Sequence, residues 1–459
     1  MKYKTYFFPL LTFILLNLYV IFNFGLYHDD WGFFVFNESF LEHSKAIWNT
    51  EGVELHRYPN VIFYIFGSLM PSKEFLYLYL SIFGLVICYQ IYDIIRLILK
   101  KKNLLNDINK FGCLSLICFW YFYPFNIGGQ IWSADLHVKV SFFFFLIHYQ
   151  YLIRNKIIHS LIFLIIAFSS YEMFYLIFIP ISFILFKLDI IQKEKFKKYL
   201  IFSIIIQLYF IFDRKRDYYE FELLDFIIRN ILNIFRFFYS IHSSFASFLN
   251  IYFQILVFLP FFYFVYTIED KKNFYKLFVL IFISLGLNSL ILSGGHYGYT
   301  GQGVFSRSFY YAAVSIFLIT LSIFLFNKTN KNKILFITYL FFLTFVSFGF
   351  ESYSWIKSWK IQKKIIYHSK VTEINKNFNK SKNLIIFFGP CKYNGVEIFH
   401  APWDIGRSIR ANFLKSENEY LPITNWNIEL NSKEKILGVH NFHYSYLLRN
   451  YNKIIYWDY

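Results

Sequence analysis

Long apolar runs alternate with short polar segments over the first three quarters of the chain. The first run, residues 6–26, is followed at once by Tyr27-His28-Asp29-Asp30-Trp31. A helix needs about 20 apolar residues to cross a bilayer, and only helices and closed barrels satisfy their backbone polar groups there. The pattern therefore predicts an all-α polytopic membrane protein with about eleven spans. The clearest runs are residues 6–26, 75–99, 111–125, 138–153, 199–212, 251–268, 308–326 and 334–350.

Residues 157–186 form one apolar stretch with basic residues at both ends. Two ends on the same side of a membrane require two short legs joined by a turn. The polar point at which the chain can turn is Ser169-Ser170-Tyr171-Glu172. Each leg then has about 14 residues and a length of about 21 Å at 1.5 Å per residue. The pattern predicts that Glu172 lies at the tip of this hairpin.

The hydropathy pattern changes near residue 351, beyond which apolar runs are short and charged residues frequent. Residues 384–388 are apolar and end at Gly389-Pro390, which is typical of a buried strand stopped by a turn. Residues 404–414 suit a helix and residues 436–439 a second strand. We expect a transmembrane domain over residues 1–350 and a small soluble α/β domain over residues 351–459.

Charge adds an orientation to this pattern. The formal net charge is +17, although only 16% of residues are charged and 57% are hydrophobic. Much of the excess lies in short loops between apolar runs, and Lys2 and Lys4 precede the first run. Basic loops stay in the cytoplasm, so the charge orients the chain in the membrane and does not indicate nucleic acid as a partner. We expect a multi-pass inner-membrane protein with a cytoplasmic amino terminus and a periplasmic or extracellular C-terminal domain.

The cysteine pattern predicts no disulfide framework and no metal cluster. Cys88, Cys113 and Cys118 lie in apolar runs, which indicates core positions, and Cys391 has no obvious partner. No cofactor is predicted; a divalent metal is compatible with the sequence but is not predicted either. Lys139, near the start of the run 138–153, is expected to extend its ammonium group to the membrane surface.

This orientation places the unusual polar residues on the outer side, several of them at span ends. Intramembrane charges are costly, and by default they mark function. Structural roles are the alternative for Arg57 (an interfacial anchor), for Asp135 and His137 (a helix cap) and for Arg214 and Arg216 (lipid headgroups). The candidates are His28, Asp29, Asp30, Arg57, Asp135, His137, Glu172, Arg214, Arg216, His296, Tyr297 and Arg307.

Carboxylates and guanidinium groups on one side of a membrane suit a lipid-linked phosphate donor. Arginine binds phosphate bidentately, so Arg57, Arg214, Arg216 and Arg307 are candidate phosphate ligands. A carboxylate accepts the proton of an attacking hydroxyl as general base, and a neighbouring carboxylate raises its pKa. Asp29, Asp30 and Glu172 are the candidates for this catalytic role. His28, Asp135, His137, His296 and Tyr297 are candidate substrate-binding residues.

With an Asp-Asp pair in the first outer loop, around eleven spans and a C-terminal outer domain, the chain resembles the GT-C superfamily of integral-membrane glycosyltransferases. The motif that carries the resemblance is His28-Asp29-Asp30-Trp31, supported by Glu172. The resemblance implies a polyprenyl-phosphate sugar as donor, with Asp29 or Asp30 at the position of the catalytic base. The acceptor is then an envelope glycan, lipid or protein.

Three other readings stay open. A transporter or flippase of lipid-linked oligosaccharides predicts internal repeats and helices broken near the midplane, and neither is clear in the sequence. A polymerase of such oligosaccharides also uses outer arginines, but it does not need an Asp pair directly after the first span. A non-enzymatic envelope scaffold needs none of these polar residues. The spatial arrangement of the carboxylates and arginines distinguishes these classes.

Overall fold

The chain folds as a bundle of α-helices. The computed structural model describes residues 4–27, 44–45, 47–54, 56–123, 136–171, 178–213, 223–246, 251–294, 310–367, 383–388, 392–393, 396–398 and 453–458. The α-helices in these ranges are α1 (Lys4–Asn23), α2 (Tyr58–Ser68), α3 (Lys73–Lys101), α4 (Asp107–Phe122), α5 (Leu136–Ile153), α6 (Ile157–Ser170), α7 (Phe178–Lys187), α8 (Lys193–Asp213), α9 (Leu223–Ala246), α10 (Ile251–Tyr266), α11 (Lys271–Gly294), α12 (Tyr310–Phe326) and α13 (Asn330–Ile366). A short π-helix, Trp48–Glu54, precedes α2.

The predicted membrane character has support, but the predicted count of eleven spans does not. Within the described ranges, four helices are long and apolar enough to cross a membrane, namely Lys73–Lys101, Leu136–Ile153, Lys271–Leu290 and Asn330–Ile366. Shorter apolar helices of 10–17 residues, α6 and α7 among them, also occur in these ranges. The described legs of the hairpin, α6 and α7, have 14 and 10 residues, about 21 and 15 Å.

Three helices stop in the same way at one end of the bundle. Asn103, Asn155 and Asp189 follow the ends of α3, α5 and α7 with φ of 55°, 58° and 51°. The amide after each donates to the carbonyl five residues back, at 2.9 to 3.0 Å. This is the Schellman termination, in which a left-handed residue, here Asn or Asp, satisfies carbonyls left over at the helix end.

Basic side chains join these helix ends to one another. The Lys101 ammonium donates to the carbonyl of Ile153 at 2.6 Å and to that of Ile190 at 2.8 Å. The Arg154 guanidinium binds the buried Asp93 carboxylate of α3 at 3.2 Å. The ends of α3, α5 and α7 therefore lie side by side.

The other basic loops lie at the same end. The Lys333 ammonium of α13 donates to Oδ1 of Asn109 in α4 at 3.0 Å. Lys328, between α12 and α13, pairs with Glu269, between α10 and α11, at 3.3 Å. We call this end, with its loops at residues 100–110, 153–157, 187–193, 267–272 and 327–333, the basic end. Which side of a membrane it faces stays a prediction.

A buried polar network fixes α5, α6, α7 and α8 to one another. His148 of α5 lies with Nδ1 2.8 Å from Ser160 Oγ of α6 and with Nε2 3.1 Å from the Tyr199 hydroxyl of α8. That hydroxyl is 3.1 Å from Ser182 Oγ of α7. These four side chains are fully buried, so the network stabilises one packing arrangement of the four helices.

Helix α9 presents its apolar face outward. Leu224 and Phe235 are 70% and 67% exposed. On the opposite face, Asn230 accepts a hydrogen bond from Ser289 of α11 at 2.6 Å through its side-chain oxygen, and Asn233 is buried. An amphipathic helix with its apolar face outward is suited to contact with lipid.

Away from the basic end, α1 is held against α3 and α13. The Tyr27 hydroxyl donates to the carbonyl of Trp355 at 2.6 Å, and the Tyr77 hydroxyl donates to the carbonyl of Gly25. A Cβ at Gly25 would overlap the Trp359 ring, so this approach requires glycine. These contacts fix the residue directly before the His28-Asp29-Asp30 segment.

The described part of the C-terminal region consists of short strands. Strand β1 (Asn383–Phe388) pairs in parallel with β4 (Lys453–Asp458), and β2 (Lys392–Tyr393) pairs with β3 (Val396–Glu397). The predicted strand 384–388 lies within β1. The predicted helix 404–414 and strand 436–439 lie outside the described residues. Two separate pairs of strands do not make a domain core, so the described residues do not bear out an α/β domain.

The predicted domain boundary at residues 350 and 351 falls inside a helix. Helix α13 runs through it to Ile366 without a break, and the Gln362 amide then donates to the carbonyl of Ile398 at 2.8 Å. The described residues 392–393 and 396–398 therefore pack on the end of α13. The division into domains stays a prediction. Cys88, Cys113 and Cys118 are buried, as the sequence indicated.

Candidate functional site

Two of the candidate residues meet on a single aromatic ring. The Arg57 guanidinium lies 4.8 Å from the centre of the Tyr171 ring. The His137 ring packs on the same tyrosine, with 4.4 Å between the ring centres. These residues come from the start of α2, the start of α5 and the position directly after α6. The fold therefore brings together side chains that are 34 to 114 residues apart in the sequence.

One face of α2 supplies most of the remaining contacts. Arg57, Asn60 and Tyr64 are spaced by three and four residues, which places them on one side of a helix. The Tyr64 hydroxyl forms a hydrogen bond of 2.9 Å with His137 Nδ1. The Asn60 amide donates to the carbonyl of Ser170 at 2.9 Å. Helix α2 thus links the beginning of α5 to the end of α6.

The π-helix that precedes α2 completes this arrangement. The backbone N–H of Arg57 donates to the backbone carbonyl of Glu51 at 2.7 Å. The side-chain amide nitrogen of Asn60 lies 3.4 Å from the Glu51 carboxylate. Pro59 suits the first turn of α2, where its missing N–H is not needed. We call Glu51, Arg57, Asn60, Tyr64, His137, Ser170 and Tyr171 the polar cluster.

The polar cluster lies at the end of the bundle opposite the basic end. Its helix α5 begins at Leu136 and reaches the basic end at Ile153, a distance of about 27 Å for 18 residues. The side chains of Leu136 and Leu76 both approach Gly67 of α2. Tyr77, next to Leu76, donates a hydrogen bond to the carbonyl of Gly25. The end of α1 is therefore near the same end of the bundle.

Cationic groups are unusually well buried here. Arg57 is 7% exposed, and Lys139, two residues after His137 in α5, has no exposed surface. The expectation that Lys139 extends to the membrane surface is therefore wrong, because its side chain is enclosed by the bundle. A buried cation is costly unless it is paired, so such groups are retained where anionic groups or substrates meet them.

Arg57 and His137 are the two candidates that the structure describes. The others lie outside the described residues, but three described residues adjoin them in sequence: Tyr27 precedes His28, Leu136 follows Asp135, and Tyr171 precedes Glu172. These neighbours all lie at the end of the bundle with the polar cluster. The candidates outside the described residues are His28, Asp29, Asp30, Asp135, Glu172, Arg214, Arg216, His296, Tyr297 and Arg307.

Asn60, Tyr64 and Tyr171 were not among the candidates. Asn60 and Tyr64 belong to α2, which lies between the apolar runs 6–26 and 75–99. The helical spacing from Arg57 is the signal that would have found Asn60 and Tyr64. Tyr171 belongs to the turn that the sequence pattern predicted, but its contacts with Arg57 and His137 leave no signal in a single sequence.

The geometry can orient a guanidinium group. Stacking on Tyr171 and the backbone contact to Glu51 restrict Arg57, whose planar fork suits a phosphate or carboxylate group. Within the ranges that the structure describes, no three His, Cys, Asp or Glu side chains are close enough to hold a metal ion. The chain matches no protein-family model, and no curated protein or solved structure is significantly similar to it.

Replacing Asn60 by Leu is expected to lower the free energy of unfolding in detergent by about 1–3 kcal/mol, because it leaves the buried Ser170 carbonyl without its donor. Asn23→Leu is the matched control, since Asn23 is exposed and bonds only within α1. Thermal unfolding followed by circular dichroism measures both. Equal losses in the two variants would show that Asn60 does not hold the polar cluster together.

Proposed function

We propose that the chain is a membrane glycosyltransferase that moves a sugar from a polyprenyl-phosphate donor to an envelope glycan, lipid or protein. The supporting observation is that Arg57 and His137, chosen from the sequence as phosphate-binding and substrate-binding residues, both lie on Tyr171, the residue before Glu172. Arg57, His137 and Tyr171 are far apart in the sequence, so no local feature of the chain requires their contact. Arg57, the proposed phosphate ligand, thus lies on the ring of the residue that directly precedes Glu172 in the sequence.

In the proposed reaction, the acceptor hydroxyl attacks the anomeric carbon of the donor sugar. A bond forms between the acceptor oxygen and that carbon, the bond from the carbon to the phosphate oxygen breaks, and polyprenyl phosphate leaves. Asp29 or Asp30 accepts the hydroxyl proton as general base. Arg57 binds the phosphate as its negative charge develops. Glu172 and His137 orient the sugar or the acceptor.

The proposed placement in the membrane follows from the two ends of the bundle. By the positive-inside rule, the basic end faces the cytoplasm and the polar cluster faces the outer side. Four helices long enough to span a bilayer, and the outward apolar face of α9, support a membrane location. The donor then reaches the polar cluster from the outer leaflet with its polyprenyl chain still in lipid.

A donor screen tests this proposal. The purified protein is reconstituted with polyprenyl phosphates that carry different labelled sugars, and envelope fractions from source cells lacking the gene supply acceptors. Transfer of label to the envelope fraction, with stoichiometric release of polyprenyl phosphate, is the expected result. Movement of intact donor across vesicles without release would identify a flippase, and lengthening of lipid-linked glycans would identify a polymerase.

A further inference from the structure

A cavity extends along the bundle from the basic end toward the other end. Helices α3, α5, α7, α11 and α12 enclose a cavity of about 1020 Å³. Interior packing normally leaves few voids larger than a water molecule, and pockets for drug-sized ligands hold about 300–1,000 Å³. A cavity of this size is large enough to hold a ligand. Its walls are mainly aliphatic and aromatic, with Ile94, Ile98, Leu146, Leu280 and Leu321 among them.

The cavity is open to the outer surface of the helix bundle. Tyr275 and Val279, one turn apart on α11, line it and are 56% and 54% exposed. Both residues belong to a helix that is long and apolar enough to span a membrane. An apolar chain in the surrounding lipid can enter sideways past α11 without passing through water.

Charge is concentrated at one part of the lining. Lys102, Lys187 and Lys276 line the cavity, and all three side chains are solvent-exposed. The acidic residue among its described lining residues is Asp189, which pairs with Lys102 at 3.8 Å. The three lysines and one aspartate give the lining a net charge of +2. An apolar space with a cationic rim is complementary to a molecule with apolar chains and an anionic head.

We infer that this cavity binds an anionic phospholipid from the leaflet at the basic end. An acyl chain fills the apolar space between α3, α11 and α12, and the lipid phosphate lies among Lys102, Lys187 and Lys276. A zwitterionic lipid offers the lysines no net charge, and a free phosphate leaves the apolar space unfilled. The three lysines lie at the basic end and the polar cluster at the other end of the bundle, and this inference does not depend on glycosyl transfer.

Native mass spectrometry of the full-length protein in detergent tests the head-group contact. The ligands are phosphatidylglycerol and phosphatidylcholine with identical acyl chains. Phosphatidylglycerol is expected to bind more tightly, and joint replacement of the three lysines by Gln is expected to weaken its binding by roughly 100-fold, since each basic residue near a lipid headgroup contributes about 1 kcal/mol and about 1.4 kcal/mol is a factor of ten.

The matched control replaces Lys100, Lys272 and Lys331 by Gln. These residues are exposed at the basic end but do not line the cavity, and the change in net charge is the same. Affinity for phosphatidylglycerol should stay near that of the parent. Equal weakening in both triple variants, or equal binding of the two lipids, would overturn the inference.

Fluorescence quenching tests the position of the acyl chain. Trp120 lines the cavity and is almost fully buried. Phosphatidylglycerol with brominated acyl chains is expected to quench a component of the protein fluorescence that Trp120→Phe abolishes. Brominated phosphatidylcholine at the same concentration should quench this component less. If no Trp120-dependent quenching occurs with either lipid, the acyl chain does not occupy the cavity and the proposal fails.

Discussion

Asp29→Asn or Asp30→Asn is expected to lower the rate of sugar transfer by about 10² to 10⁴, the usual effect of removing a general base. Asparagine keeps the shape of the side chain and removes its basicity. Asp30 is the slightly preferred base, and its neighbour is expected to orient it or to bind the acceptor. The rate is measured as label transferred from the polyprenyl-phosphate sugar in the donor screen.

Asp107→Asn is the control for this pair. Asp107 is exposed at the basic end, where it pairs with Lys110 at 3.3 Å, so its loss should leave the transfer rate near that of the parent. Melting temperatures in detergent show whether each variant is folded. Parent rates in both Asp29→Asn and Asp30→Asn, with normal insertion, would remove the general base from the proposed reaction.

Arg57→Lys is expected to raise the KM for the donor by about tenfold or more, because the loss of one hydrogen bond to a charged group costs about 1.5–3 kcal/mol. Lysine keeps the positive charge and can stay over the Tyr171 ring, but it lacks the planar fork that binds phosphate bidentately. Arg57→Ala is expected to have a larger effect on the same constant. Steady-state kinetics at varied donor concentration measure both.

Arg96→Lys is the control for Arg57. Arg96 pairs with Asp93 near the basic end, far from the polar cluster, so its replacement should leave the KM for the donor unchanged. If the role of Arg57 is purely structural, its replacement lowers stability instead and leaves the KM of the folded fraction at the parent value. An unchanged KM in Arg57→Ala would show that Arg57 does not bind the donor phosphate.

Part of the site could be predicted because the predicted orientation places the unusual polar residues of the chain on one side of the membrane. Arg57 and His137 were selected in this way, and both lie in the polar cluster. Such a polar residue is informative because burying a charge costs free energy, so it is retained only where another group stabilises it. For the carboxylates at Asp29, Asp30 and Glu172 the assignment stays a prediction.

The aromatic centre of the cluster could not be predicted. Tyr171 is one of 39 tyrosines, and its contacts with Arg57 and His137 join distant parts of the chain. Contacts between residues so far apart cannot be read from local sequence patterns. The hydrogen bond from Asn60 to Ser170 is equally nonlocal, although the helical spacing of Asn60 from Arg57 is visible once α2 is recognised.

Helix ends at the basic end were predicted well, but the number of spans was not. The apolar runs 75–99 and 138–153 and the stretch 157–186 stop within two residues of the ends of α3, α5 and α7. The left-handed residues that follow these helices, Asn103, Asn155 and Asp189, are polar, so the hydropathy pattern marks them. The predicted eleven spans were counted from runs, whereas four helices in the described ranges are long and apolar enough to cross a membrane. Others, such as α4 and α6 with 16 and 14 residues, are short for a bilayer.

The most direct test of the central claim is to map where the donor binds. A polyprenyl-phosphate sugar with a photoreactive group on its sugar is crosslinked to the reconstituted protein, and the modified peptides are identified by mass spectrometry. The account predicts crosslinks to the peptides that contain Arg57, His137 or Tyr171, and competition by unlabelled donor. Crosslinks confined to the lysine-rimmed cavity at the basic end, or crosslinks that unlabelled donor does not displace, would contradict it.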